Sequence, residues 1–270
     1  MSANIYEEDT AAVIASALRE AGERPIVVAP TRDAVAAVGR VGRREVSPTG
    51  VRLLAHEELL RETRRDFFLS TRIADVVTDP ADDVRTLPDQ YGDTVVVGPD
   101  ATFALATGGD AAAGIAAVDN TGAQTLWREY ESLFDEAEAM GLRVPGRTAL
   151  LDAAAETLGE ELTTDLAAAA TAADDGDGGD LTDGVSLLVL VGAAHGRQFY
   201  TLGAWAEDAG VASKATVSRA KQRLEDAGLV ETEKVPADVG RPRQRLRLVD
   251  ESLANADGRR LHEVVAAIDD

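Results

Sequence analysis

The chain has no cysteine, which excludes disulfides and thiolate metal sites. It has three histidines, His56, His195 and His262, in three separate segments, so no histidine pair stands at metal-binding spacing. Each reads as structural: His56 near the start of a helix, His195 at the end of one, where a cation is favoured. No run of about 18 apolar residues occurs, so no transmembrane helix is expected. The first nine residues are acidic and lack a signal-peptide pattern. The expectation is a soluble, cytoplasmic protein without a membrane partner. A phosphate-cradling glycine loop and a Ser-His-Asp set are also missing, so no enzyme, no cofactor and no metal are expected. The acidic run Asp174–Asp180 fails as a calcium loop, because Gly179 takes its fifth position and Ser186 its twelfth. It reads as a flexible linker.

What is abundant is negative charge. There are 48 Asp and Glu against 27 Lys and Arg, a net of −21, and three of the 27 cations are lysine. Acidic, lysine-poor, alanine-rich composition with 4% aromatics is similar to that of proteins from salt-in haloarchaea. Carboxylates keep such a surface hydrated and mutually repelling at high ionic strength. A pair of carboxylates therefore carries little catalytic information here. Phosphate contacts are heavily screened in such a cytoplasm, so any nucleic-acid specificity leans on base edges and shape.

All three lysines, Lys214, Lys221 and Lys234, fall in one segment. From Gly184 to Val249 the chain carries ten Lys and Arg against seven Asp and Glu, a net of +3. A positive island in a negative chain is the footprint of a surface that meets phosphates. The island has the order of a winged helix-turn-helix. Thr201 reads as an N-cap, followed by Leu202, Trp205, Ala206 and Ala209 at helical spacing. Gly210 breaks that helix, Ser213 caps a second one over 214–227, and Gly228 ends it. Val217, Ala220 and Leu224 form the inward stripe of this helix. Lys214, Ser218, Arg219, Gln222 and Arg223 point outward, with Thr216 beside them. Arginine can bind guanine bidentately, glutamine can bind adenine, and serine can take either. Lys221 combines a stem that packs with an ammonium that reaches a phosphate. Strands over 229–235 and 244–249 follow, the second alternating Leu246 and Leu248 with Arg243, Arg245 and Arg247. Between them, Gly240-Arg-Pro242 projects Arg241 from a wing tip suited to a minor groove.

The N-terminal part alternates helix and strand. A helical pattern runs from Ile5 to Ala21, a strand over 25–29, and a capped helix over 34–41. A strand over 51–54 and a long helical pattern over 56–78 come next, with a strand interruption near 67–69. Strands over 94–97, 102–106 and 115–118 and a helix over 125–140 complete it. This predicts an α/β sandwich-type domain in two or three layers. Helix is expected over 146–173, broken at Gly159, and again over 257–268, where it either packs on the domain or pairs with a second subunit.

The segment Ser213–Arg219, with Leu224–Val230 and Gly240–Pro242, resembles the winged-helix domains of prokaryotic regulators. Thr94–Met140, with its valine-rich strands and the aromatic helix Trp127–Phe134, is similar to effector domains of archaeal sugar-responsive regulators. The whole arrangement resembles the haloarchaeal TbsP-type transcriptional regulators, on Thr94–Leu105, Trp127–Phe134 and Val217–Pro242. The resemblance implies transcriptional control, with metabolic genes as targets.

The reading is an α+β chain: an N-terminal α/β sandwich-type sensor and dimerisation domain over 1–142, a helical connector and acidic linker over 143–183, a winged helix-turn-helix over 184–250, and a C-terminal helix over 251–270. Its expected partners are double-stranded DNA, a second copy of itself and, as a candidate effector, a small metabolite. The expected DNA contacts are Lys214, Thr216, Ser218, Arg219, Lys221, Gln222, Arg223, Arg241, Arg243 and Arg245. The competing reading is a winged helix that docks protein and has no DNA affinity; the arginine stripe on the wing argues against it.

Overall fold

Two runs of branched apolar residues, Ile26–Val28 and Val95–Val97, lie side by side with every residue buried. Lacking polar alternation, such runs are stable only with both sheet faces covered. In the computed structural model that is their place. The residues described are 5–7, 9–42, 50–77, 79–108, 111–116, 120–175, 184–235, 243–250, 252–253 and 256–268. The chain divides into two compact units, Met1–Arg65 with Leu69–Gly146, and Asp66–Phe68 with Arg147–Asp270.

The first unit runs β1 (Ile5–Glu7), α1 (Thr10–Ala21), β2 (Ile26–Val28), α2 (Arg32–Arg40), β3 (Arg52–Ala55), α3 (Glu57–Arg65), α4 (Phe67–Val76), β4 (Val84–Thr86), β5 (Val95–Val97), β6 (Thr102–Gly108), β7 (Ala111–Ala116) and α5 (Asn120–Glu136). Phe67 and Phe68 of α4 count with the second unit. The strands form one mixed sheet in the order β1-β7-β6-β5-β2-β3-β4. The β2–β3 and β3–β4 pairs are parallel and the rest antiparallel. Alternate residues serve opposite faces. Val27, Leu53, Val96 and Phe103 pack with Ile14, Leu18, Val35 and Val38 of α1 and α2. Ile26, Val28, Leu54, Val95 and Val97 pack with Phe134 of α5. The expected sandwich is therefore a three-layer one.

Several elements differ from the sequence reading. The Ile5–Ala21 pattern splits, because Ile5–Glu7 pairs antiparallel with β7 at the sheet edge. β4 was not foreseen: Val84-Arg-Thr86 is short and half-polar, and becomes a strand by pairing with Leu53–Ala55. Among the described residues 56–77 no strand interrupts the helical pattern near 67–69; two helices meet at Asp66 instead. Residues 109–110, between β6 and β7, and the 176–183 part of the linker lie outside the described residues.

The second unit runs α6 (Arg147–Leu158), α7 (Glu160–Asp175), α8 (Gly184–Ala194), α9 (Phe199–Asp208), α10 (Lys214–Asp226), β8 (Val230–Val235), β9 (Arg243–Leu248) and α11 (Gly258–Ala266). The stretch read as a helical connector contributes Ala154, Leu158, Leu162 and Ala169 to this unit's core, so α6 and α7 are part of it. α11 places Leu261 and Val265 in the same core, packed against α7 and α8. Its cap is local: Asp257 Oδ1 accepts from the Arg260 amide at 3.0 Å.

One close approach in the first unit tolerates only glycine. A Cβ placed on Gly98 would come within 2.0 Å of the Ala21 carbonyl oxygen, a backbone atom that cannot step aside. Gly98→Ala is therefore expected to destabilise the fold by about 1–3 kcal/mol through overpacking. Urea denaturation measures it; an unchanged midpoint would show that α1 and the β5–β6 turn are not held this closely.

Candidate nucleic-acid interface

The helix-turn-helix is built from local signals. α9 starts at Phe199, not after Thr201, because Gln198 is still extended and bridges Arg245 of β9 in antiparallel fashion. The Leu246 amide donates to the Arg197 carbonyl at 2.9 Å and extends the same contact. Gly210, at φ +72°, makes the turn. Ser213 then caps α10, its Oγ accepting from the Thr216 amide at 3.2 Å. Gly228, at φ +70°, ends α10. Its amide donates to the Glu225 carbonyl and the Leu229 amide to the Leu224 carbonyl, both at 3.0 Å, the two bonds of a Schellman stop. Val217, Ala220 and Leu224 are buried, which fixes the helix about its axis.

That rotation decides which side chains are presented. Ser218, Arg219 and Gln222 are exposed on the outward face. Arg219 donates to Thr216 Oγ1 at 3.2 Å, and Gln222 donates to Asp226 Oδ1 at 2.9 Å. Lys214, at the helix start, is also exposed and bonded to Glu207 of α9. The hydrogen bond raises the Lys214 pKa and holds the Glu207 carboxyl below its ordinary range.

Two expected contacts are turned toward the protein instead. Lys221 lies over the Phe199 ring at 5.5 Å, and its Nζ sits 2.7 and 2.8 Å from the Glu225 carboxylate oxygens. Burial works against that carboxylate, but hydrogen bonds from Lys221 and Thr232 outweigh it and hold the Glu225 pKa low. The ammonium that was to reach a phosphate is thus neutralised in place. Arg223 donates through Nη2 to Ser186 Oγ on α8, a hydroxyl with 0% exposure. It joins α10 to the core helix rather than facing outward.

On the wing, β8 and β9 pair antiparallel with Thr232 opposite Leu246. Leu246 and Leu248 are buried, while Arg243, Arg245 and Arg247 are exposed, as their alternation requires. Glu231 stands opposite Arg247 and Glu233 opposite Arg245, so the arginine stripe has an acidic stripe beside it. Arg247 is 3.4 Å from Glu233, and Arg243 donates to Gln198 Oε1 at 3.1 Å. Arg241 and the wing tip, 236–242, lie outside the described residues. Of the expected contacts, Thr216, Ser218, Arg219 and Gln222 lie on α10 and Arg245 on β9, and the structure brings Lys214 of α10 and Arg243 of β9 to one cleft. Sequence reasoning missed the partners that tie up the cations, Glu207, Glu225, Glu233 and Ser186. It also missed Tyr200, which lies two residues before buried Leu202 and so on the opposite side of α9, 74% exposed.

An α/β domain followed by a capped helix-turn-helix and a two-stranded wing defines a winged-helix protein of the regulator class. Family models agree along nearly the whole chain: "Transcriptional regulator TbsP-like, N-terminal" matches residues 2–145, and "Transcriptional regulator TbsP-like, C-terminal HTH domain" matches 146–266. The chain belongs to the TbsP-like transcriptional regulator family. Among solved structures it is similar to TrmBL2, described as an archaeal chromatin protein with a novel mode of DNA binding, at 11% identity and a TM-score of 0.32. That match covers 51% of this chain and 53% of the other, so the chain spans about half the length of TrmBL2. No curated protein gives a significant match. Among the described residues no helix is long and apolar enough to cross a membrane.

Arg223→Ala is expected to lower folding stability by about 1–3 kcal/mol, because the buried Ser186 hydroxyl loses a charged donor. It should leave the salt dependence of DNA binding unchanged. A shallower salt slope with an unchanged urea midpoint would instead place Arg223 on a phosphate.

Proposed function

We propose that this protein is a sequence-specific reader of double-stranded DNA that regulates transcription as a homodimer, acting by binding and not by catalysis. The observation that carries the reading is the outward face of α10. Ser218, Arg219 and Gln222 stand exposed on a helix capped at both ends and anchored by three buried residues. Serine, arginine and glutamine are base-edge readers, and a fixed helix is what lets them discriminate. Arg243 and Arg245 flank that face and suit the adjacent backbone. Lys221 and Arg223 have no part in it. The negative composition supports a halophilic, cytoplasmic setting. The likeness of the Thr94–Met140 segment to sugar-responsive effector domains supports metabolic genes as targets and a small metabolite as effector.

Support for the dimer comes from a sheet face without charge. In β6 and β7, Ala104 pairs with Ile115 and Ala106 with Ala113. Ala104 and Ala106 are exposed, and Ile115 is 56% exposed. No charged residue occurs in either strand. Two copies of a chain at −21 repel over most of their surfaces, so an uncharged apolar face is where they can meet. Two copies would read half-sites about one helical turn apart.

Selection from a pool of random duplexes in molar KCl tests the reading. A two-fold symmetric motif is expected. Arg219→Ala should relax preference at one base pair per half-site by about 1–3 kcal/mol; an unchanged motif would remove Arg219 from base reading. No enrichment by a folded, dimeric protein would favour the protein-docking alternative. Ile115→Asp is expected to give a monomer by light scattering with an unchanged circular dichroism spectrum; a persistent dimer would place the interface elsewhere.

A further inference from the structure

Beside the recognition helix the second unit holds a cleft of about 580 Å³, lined by Tyr200 and Thr201 of α9, Lys214 of α10 and Arg243 and Gln244 of β9, among others. Three elements meet here, and two of them bring a cation. Each cation keeps protons to spare. Lys214 is bonded to Glu207 and Arg243 donates one bond to Gln198, whereas an ammonium has three donors and a guanidinium five. Tyr200 stands at the rim with 74% of its surface exposed, the most exposed of the large hydrophobic residues among those described. A tyrosine so exposed is unexplained by packing.

The chemistry selects the ligand. The lining offers donors, from ammonium, guanidinium, phenol, hydroxyl and amide, and these fit an anion. A small metabolite would be mostly enclosed by its pocket, and a cleft rimmed by so exposed a side chain does not enclose one. Lysine, arginine, tyrosine, threonine and glutamine are the side chains that hold DNA phosphates. The cleft meets α10 at Lys214, in its first turn, and Ser218, Arg219 and Gln222 are not in its lining. We propose that it seats a phosphodiester of the DNA backbone, with the Tyr200 phenol and the Arg243 guanidinium donating to its non-bridging oxygens and Lys214 closing the site. Tyr200 is then a positioning residue: it holds the register of α10 on the duplex and reads no base. This rests on the DNA-binding reading above.

The test pairs protein variants with a methylphosphonate scan of the selected duplex, at constant KCl. For the wild type, replacing one phosphate per half-site should cost affinity at the cleft position. Tyr200→Phe should weaken binding about tenfold, equally on selected and scrambled duplexes. In that variant the same methylphosphonate should cost much less than it does in the wild type. Arg243→Gln should show the same loss of coupling and reduce the salt slope by about one. Inorganic phosphate at matched ionic strength should not displace the duplex. Wild-type binding with no phosphate coupled to Tyr200 would overturn this inference alone, as would a change of base preference in Tyr200→Phe or competition by free phosphate. A wild type that binds no duplex would overturn the DNA-binding reading, and this one with it. The exposed Tyr200 is not part of the core, so circular dichroism of the variant should be unchanged.

Discussion

The second unit depends on a helix without a wet side. Every residue of α8 from Gly184 to Ala193 is buried. A helix apolar all round has no preferred orientation to solvent and must be enclosed by other elements. Here α10 packs through Val217, Ala220 and Leu224, β9 through Leu246 and Leu248, and α11 through Leu261 and Val265, all within one core. Ser186 is the polar exception in α8, and Arg223 answers it. An unpaired hydroxyl in that place would be costly, so the pair fixes α10 about its axis as well as against its neighbour. The direction in which Ser218, Arg219 and Gln222 point is set from behind, by the core.

This explains what the sequence made legible. Signals confined to a few neighbouring residues were read with their boundaries nearly right: the Ser213 cap, the Gly228 stop, the inward stripe of α10 and the alternation of β9. Those features depend on backbone geometry that local residues determine. That Lys221 and Arg223 are bonded within the protein was not legible, because both lie at the margin of the inward stripe. Whether a long side chain there turns out or in depends on Phe199 and Ser186, one on α9 and the other on α8. No periodicity within α10 contains them. The same reason hid β1 and β4, whose strand character comes from partners more than twenty residues away. Thr201 looked like a cap because hydroxyls usually are; the bridge from Gln198 to Arg245 moved the helix start forward.

In the first unit the buried Arg52 is the counterpart of this arrangement. Its guanidinium donates to the Arg24 carbonyl at 3.1 and 2.9 Å and lies 5.0 Å from the Trp127 ring and 5.1 Å from that of Phe134. Burial lowers its pKa, and nearby Arg24 adds to the effect, while Glu131 works the other way. Arginine remains charged regardless. The aromatic helix α5 therefore packs on β3 through a cation as well as through apolar area.

The acidity of the chain sorts its cations instead of cancelling them. Lys221 and Glu225 are largely covered, at 14% and 23% side-chain exposure, and that pair is part of the fold. Lys214 and Glu207, at 53% and 46%, are in water. Exposed pairs contribute little and are screened further by salt. Exchanging Glu207 for a phosphate therefore costs Lys214 little, whereas freeing Lys221 would leave the largely covered Glu225 carboxylate without its cation, held by the Thr232 hydroxyl. Salt weakens the surface pairs and the phosphate contacts alike, so neither gains on the other as ionic strength rises. On the proposed reading, what salt scarcely touches is the fit of Arg219 and Gln222 to base edges. A reader in a strongly negative chain can thus afford few free cations, provided the helix that carries its base-reading side chains cannot turn.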